Sequence, residues 1–407
     1  MKTQTKKFRG ERLKSARLYR GLTLTELSRQ TGITKQSLSQ YENNKMATNP
    51  SYERVLEIAR ALRFPRDYFL EEDGCKTTTE VTYFRSLTSA TKMSRTSQSV
   101  RLEFVAKIYE ILSHYLVFPT LDIPNIDFTP NDDEFDDNAE GVMLQEIEKI
   151  ADSLRMHWKL GDDPINNLQS VMERHGIIIT AFNVEDTKID AFSQRTILDN
   201  GEIFFVAISE GVLPKARIRF DMAHELGHIL LHPWSESLEL IEKDEFRRRE
   251  QQANMFAGAF LMPRSTFTAD VSVYPTNLDY YLFLKKKWGC SVQSMIYRSY
   301  QLKLITANQF QYMMRQVSKR GWRRGEPGDI PYYISENMFQ SAIDLLINKA
   351  GITAQDILKL FSKYGVTMYP EEIEKLLHLH DGTLTPHDSN STVIQLKLVP
   401  KENSDGG

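Results

Sequence analysis

The sequence predicts a multidomain, mainly α protein, in which an all-α amino-terminal module precedes an α+β body and a small, mostly helical carboxy-terminal region. Three observations predict this. Residues 1–70 hold short amphipathic helical stretches punctuated by Gly21 and Gly32. At residues 201–231 a run rich in β-branched and aromatic residues leads into a helical stretch with histidines four residues apart. Beyond Pro327 helical periodicity returns without motif chemistry. At 407 residues, with 41% hydrophobic and 26% charged, the chain has enough apolar material for two or three domains. The expected divisions are 1–72, 73–141, 142–328 and 329–407.

The first module is basic. Residues 1–70 carry 15 Lys and Arg against 6 Asp and Glu, a net +9; since the whole chain is −3, the other 337 residues carry −12. Such asymmetry points to a polyanionic partner for the first part, although a solvated basic face would look similar. The pattern is more specific. Residues 8–19 read as a helix with Leu13, Ala16 and Leu18 on or near its buried side, ending at Gly21. Thr23 or Thr25 caps a short second helix with Leu24 and Leu27 apolar, and Gly32-Ile33-Thr34 makes a tight turn. Residues 35–42 form a third helix. A fourth follows Pro50, with Val55, Leu56, Ile58, Ala59 and Leu62 facing inward. Helix, glycine turn, helix at this spacing is a helix-turn-helix signature. It resembles the Xre/Cro-type repressor domain, which implies double-stranded operator DNA as partner and the third helix in the major groove. Lys35, Gln36, Ser37, Ser39 and Gln40 are then the candidate contacts to base edges and phosphates, while Leu38 faces the core and Tyr41 is a second candidate for it. Leu24 departs from the pattern, standing where relatives often carry Gln. A small helical protein-interaction module is the alternative.

The connection reads as a Thr/Ser-rich linker at 76–99, a helix at about 100–117 and an acidic, solvated loop at 131–138. A helix at 143–158 opens the α+β body.

His224-Glu225-Leu226-Gly227-His228 is the most informative segment. On a helix, positions i and i+4 lie roughly 40° apart around the axis and about 6 Å apart along it, so both imidazoles can close on one metal ion. Glu225, about 80° off that face, is too far round to be a ligand but suits a general base acting on water. Catalytic zinc takes three protein ligands and leaves one position open. His232 lies a full turn beyond His228 and reads instead as a helix C-terminal histidine favoured by the dipole. Glu250 is the better third ligand; one turn along, Asn254 is placed to accept a hydrogen bond from a ligand imidazole. The alternative for Glu250 is a solvated member of the charged run 242–250.

The run from Arg219 to His232, Glu250-x-x-Ala253-Asn254-x-Phe256-Ala257 and Leu261-Met262-Pro263 resemble the ImmA/IrrE family of bacterial metallopeptidases. The likeness extends upstream through Asp163-Pro164 and Ile189–Ser193 and downstream to Glu326-Pro327; Tyr83–Leu87 also resembles a segment of repressor–peptidase fusions. The resemblance implies a zincin-like, thermolysin-like minimal core, with Zn2+ on His224, His228 and Glu250, and Glu225 as base. It also implies a protein substrate, a repressor. Gln252 stands where relatives commonly carry an acidic residue.

The leading expectation is therefore a DNA-binding regulator with a zinc-dependent metallopeptidase domain. Two rivals belong to other classes: a non-proteolytic transcription factor using the peptidase fold as a sensing body, and an antitoxin-like partner of another protein. A homodimer is open to all three. No apolar run reaches 18 residues and residues 1–7 lack the apolar core of a signal peptide, so no membrane role and a cytoplasmic location are expected. Cys75 and Cys290 make no disulfide framework. After Pro327, helices are expected at 336–349, 354–364 and 370–380 and a strand at 392–399; His378 and His380 lie on opposite sides of a helix and make a poor metal pair.

Overall fold

The structure, a computed structural model, describes residues 7–43, 49–72, 78–84, 91–126, 128, 139–182, 191–198, 201–209, 211, 213–234, 241–334 and 337–385. In the amino-terminal module, short polar residues ahead of apolar runs act as caps. After α1 (Gly10–Tyr19), Thr23 accepts from the Glu26 amide while the Glu26 carboxylate accepts from the Thr23 amide. That capping box makes Thr23, not Thr25, the start signal of α2 (Leu24–Thr31). Gly32 ends α2 at φ 70°, a left-handed conformation that glycine adopts without a Cβ clash, and the chain turns at once into α3 (Lys35–Glu42). Thr34 caps α3 and Ser51 caps α4 (Tyr52–Leu62). Leu13, Leu27, Leu38, Ile58 and Leu62 are fully buried, and Tyr41 joins them.

The run expected to be a linker is largely structured. Residues 78–84 form strand β1, and α5 (Lys92–Ser113) starts well before Val100. Two Thr/Ser residues that look like linker composition explain the early start. Thr91 caps α5 through the Ser94 amide, and the buried Ser97 hydroxyl donates to the Tyr19 carbonyl at 3.0 Å, tying α5 to α1. The acidic stretch 131–138, Cys75 and the strand expected at 392–399 lie outside the described residues.

The body runs α6 (Ala139–His157), α7 (Leu168–Arg174), β2 (Ile177–Phe182), β3 (Ala191–Leu198), β4 (Gly201–Ser209), α8 (Lys215–Leu231), α9 (Lys243–Leu261), α10 (Arg264–Val271), α11 (Leu278–Trp288), α12 (Val292–Gln301) and α13 (Ala307–Lys319). The sheet order is β1-β3-β4-β2, with β2 parallel to β4 and the other pairs antiparallel. Both faces of the sheet are covered, which is why β4 reads as one continuous apolar run. Phe204, Val206 and Ile208 pack into a core with α6 to α13; Ile203, Phe205 and Ala207, pointing the other way, pack into a second core with α1 to α5. The carboxy-terminal helices α14 (Met338–Asn348), α15 (Ala354–Lys363) and α16 (Pro370–Leu377) belong to the second core. They are tied to the basic module by polar contacts: Arg20 to Glu372 at 2.8 Å, and the Thr367 hydroxyl donating to Glu71. The protein is thus multidomain and mainly α, with its one described sheet between two helical layers.

Candidate metal centre

Helix α8 begins after Pro214, whose fixed φ suits a helix entry, and Lys215 donates its amide to the Ile330 carbonyl at 2.8 Å. It lies over the sheet and against α9. Gly227 sits at that contact: a Cβ there would stand 3.1 Å from Phe256 Cδ1 and 3.2 Å from Ala253 Cα. Both distances are tighter than a Cβ ordinarily makes, so glycine favours this close approach of α9, which carries Glu250 to the two histidines.

His224 Nε2 and His228 Nε2 are 3.0 Å apart, and the Glu250 oxygens stand 3.5 Å from the first and 3.2 Å from the second. Ligands about 2.0–2.1 Å from a tetrahedral zinc lie roughly 3.3 Å from one another, so the spacing fits that ion. Proton positions support the fit. Asn254 donates its Nδ2 to the Glu250 carbonyl at 2.7 Å, so its Oδ1 is the atom facing His224 Nδ1 at 3.2 Å, and that nitrogen must donate. Gln252 donates Nε2 to the Met143 sulfur, leaving its Oε1 to accept from His232 Nε2 at 3.0 Å; His232 Nδ1 then accepts from His228 Nδ1 at 2.9 Å. Each outer bond fixes the tautomer that presents a lone pair at Nε2. Two such lone pairs and a carboxylate aimed at one point repel each other unless a cation lies between them.

His232 corrects the sequence reading. It is not a dipole-stabilised cation on the last helical turn. Helix α8 ends at Leu231; His232 is extended (φ −119°, ψ 144°), buried, and its ring lies against His228. Burial, and then neighbouring His228, push its pKa well below the ordinary value, so it is neutral.

Glu225 is fully buried, and its Oε2 accepts from the Ser193 hydroxyl at 2.5 Å. Ser193, Gln252 and Met143 are the participants that residue-by-residue reasoning missed. Ser193 had one signal, its place at the end of the resemblance segment 189–193. Gln252 stood out only as a departure from an acidic position. A cavity of about 510 Å³ opens against Glu250 and Asn254, walled by Phe220, Phe246 and Tyr297. Cys290 is buried, which pushes its thiol up to about 11 and leaves it no nucleophilic role.

On α3, Lys35 and Gln36 are exposed, Ser37, Ser39 and Gln40 are half-buried, and Leu38 and Tyr41 hold the helix to the core. A buried ion pair, Arg17 to Glu42 at 2.6 Å, ties α3 to α1. His378 Nε2 donates to the Ala181 carbonyl, 2.7 Å away, and forms no metal pair with His380 among the described residues. No helix among the described residues is long and apolar enough to cross a membrane.

A helix-turn-helix domain model matches residues 10–74. The peptidase M78 model, an IrrE N-terminal-like domain, matches residues 172–300 and so spans β2 to α12, including all four of His224, Glu225, His228 and Glu250. No curated protein matches the chain. This chain therefore joins an amino-terminal helix-turn-helix domain to a peptidase-type domain of the IrrE N-terminal-like family.

Proposed function

We propose that the protein is a DNA-binding regulator whose peptidase-type domain is a zinc-dependent endopeptidase acting on a regulatory protein such as a repressor. One observation supports this reading above others: two imidazole nitrogens and a carboxylate, each with its proton state set from outside, converge within 3.5 Å beside a buried glutamate. His224, His228 and Glu250 would hold the ion, and Asn254, His232 and Gln252 would hold the two imidazoles in their ligating tautomers. Zinc so held supplies a polarised carbonyl and a water acidic enough to attack near neutral pH. Glu225 is the group that takes the proton and passes it to the leaving amine. Ser193 positions it by donating to Oε2. The aromatic-walled cavity beside Glu250 accommodates a substrate side chain.

The complete burial of Glu225 supports a second reading, in which the same centre serves as a sensing or partner-binding body and cuts nothing. One experiment separates the two. The full chain is analysed for zinc and incubated with the repressors encoded beside its gene, with and without chelator. Glu225→Gln is expected to keep its zinc and lose cleavage; undiminished proteolysis by that variant sinks the mechanism. A wild type that holds zinc, cuts none of them and controls transcription as Glu225→Gln does supports the sensing reading.

DNA binding belongs to α3 in this proposal, with Lys35, Gln36, Ser37, Ser39 and Gln40 as its contacts. Lys35→Ala should weaken binding to all sequences and reduce the salt slope by about one, measured by titration at several salt concentrations. Its zinc content should match wild type.

A further inference from the structure

Arg219 lies on the second turn of the helix that carries the histidines, and it is buried without compensation. Only 6% of its surface is exposed, yet Nε and Nη2 have no hydrogen-bond partner among the described residues. Other buried guanidiniums are treated differently. Arg17 meets Glu42 at 2.6 Å, Arg298 meets Glu148 at 2.7 Å, and Arg155 donates to the Gly161 and Phe260 carbonyls at 2.7 and 2.6 Å. For Arg219, burial depresses the pKa, and the group working the other way is the Cys290 thiol rather than a carboxylate. An uncompensated buried charge is among the most unfavourable arrangements a fold can hold.

The surroundings explain why it is kept. Arg219 lines a cavity of about 770 Å³, formed with α11 and residues 327–330. Lys215, on the first turn of α8, and Lys286 are exposed at the same cavity. The carboxylates there are already engaged: Asp329 by Lys285 at 2.5 Å and Asp279 by Arg320 at 2.6 Å. The amino-terminal end of α8 adds its partial positive charge. Leu282, Phe283 and Ile330 give the cavity an apolar wall. Arg219 precedes His224 by five residues, which turns it roughly 140° around the helix, away from the metal centre.

We propose that this cavity binds a small organic oxyanion, with the Arg219 guanidinium holding its phosphate or carboxylate group. The guanidinium fork suits two oxygens of such a group, Lys215 and Lys286 add charge, and the apolar wall takes the rest of the molecule. Residues 327–331 also fasten the start of α8, through Lys215 to Ile330 and a bridge between Pro214 and Pro331. An occupant would therefore clamp the helix on which His224, Glu225 and His228 stand.

The test uses the full chain stripped of metal by chelator, so that no zinc recruits the anion. Thermal unfolding is followed as chloride is replaced by inorganic phosphate or by succinate at constant ionic strength, the two arms separating phosphate from carboxylate chemistry. At a tenfold excess over Kd the melting temperature should rise by about 2 °C in the preferred anion. Arg219→Met should melt above wild type in chloride, because the unpaired charge is gone, and should lose the rise. No rise in wild type with either anion, or an undiminished rise in Arg219→Met, overturns the proposal. If Arg219→Met does not fold, Lys286→Gln decides: a several-fold weaker response supports the site, and an unchanged one overturns it.

Discussion

Helix α3 and helix α8, to which the proposed function assigns DNA and metal, are built in opposite ways. Helix α3 fully buries only Leu38 and Tyr41 of its eight residues, turns Glu42 inward to Arg17, and leaves the other five exposed or half-exposed. Helix α8 buries all but three of its seventeen, its two histidines and Glu225 included. A helix that acts from its surface needs neighbours only to hold it still. A helix that acts from its interior needs neighbours to complete each functional group, and here they come from β3, α6 and α9. The two should therefore fail differently: α8 through distant residues as well as its own, α3 mainly through residues on or next to it.

The largest effect is expected at the third ligand. Glu250→Ala removes the carboxylate whose oxygens stand 3.5 and 3.2 Å from the two imidazole nitrogens. Zinc measured per chain should fall from one to near zero, while operator affinity stays at the wild-type value. Retention of a full equivalent of zinc would break the contrast, because it would mean that α8 binds metal by itself. Gly227→Val comes next. Its side chain would enter the space held by Phe256 and Ala253, forcing α8 and α9 apart, at a cost of about 1–3 kcal/mol. Denaturant unfolding should show that loss together with weaker metal binding. Unchanged stability would mean that the close approach of α9 does not depend on the missing Cβ.

What could be read in the sequence follows the same division. The helices of the basic module were legible to within a few residues because caps, glycines and apolar spacing are local signals: Gly32, Thr34 and the spacing of Leu38 and Tyr41 lie within ten residues of one another. His224, Glu225 and His228 were legible for the same reason, as a motif on one helix. Of their outer partners, Asn254 was legible from its place one turn after Glu250, and the others were not. The contact of His232 with Gln252 spans 20 residues, that of Gln252 with Met143 spans 109, and that of Glu225 with Ser193 spans 32. No periodicity encodes such distances. Strand β1 was missed for a related reason, since a Thr-rich strand pairing with β3 more than a hundred residues later has the composition of a linker. Early α5 was missed because Ser97 looks solvated until Tyr19 is beside it.

Gln252→Leu sharpens the comparison by touching neither metal nor helix α8. The substitution keeps an apolar contact available to Met143 but removes the acceptor that holds His232 Nε2, and with it the bond that sets the His228 tautomer. Loss of such an outer partner typically weakens metal affinity 10–100-fold. Competition with a chromophoric chelator measures this, and the fold should be intact by circular dichroism. Wild-type affinity would mean that the imidazoles are oriented without the chain through His232.

The smallest effect is expected at Thr34, and it tests the other half of the contrast. Thr34 accepts from the Ser37 amide at 3.2 Å and so fixes the first turn of α3, where Lys35 and Gln36 stand exposed. Thr34→Ala should cost about 1 kcal/mol of stability in the amino-terminal module, and Thr34→Ser should restore most of it. The turn it frays is the one proposed to meet DNA, so operator affinity should fall with the cap and return with Ser. Zinc content should not move, because the amino-terminal core and the metal centre lie on opposite faces of the sheet. A Thr34→Ala protein that loses zinc would show that the two faces communicate through the sheet. One that binds operator as wild type does would place the DNA contact elsewhere than the start of α3.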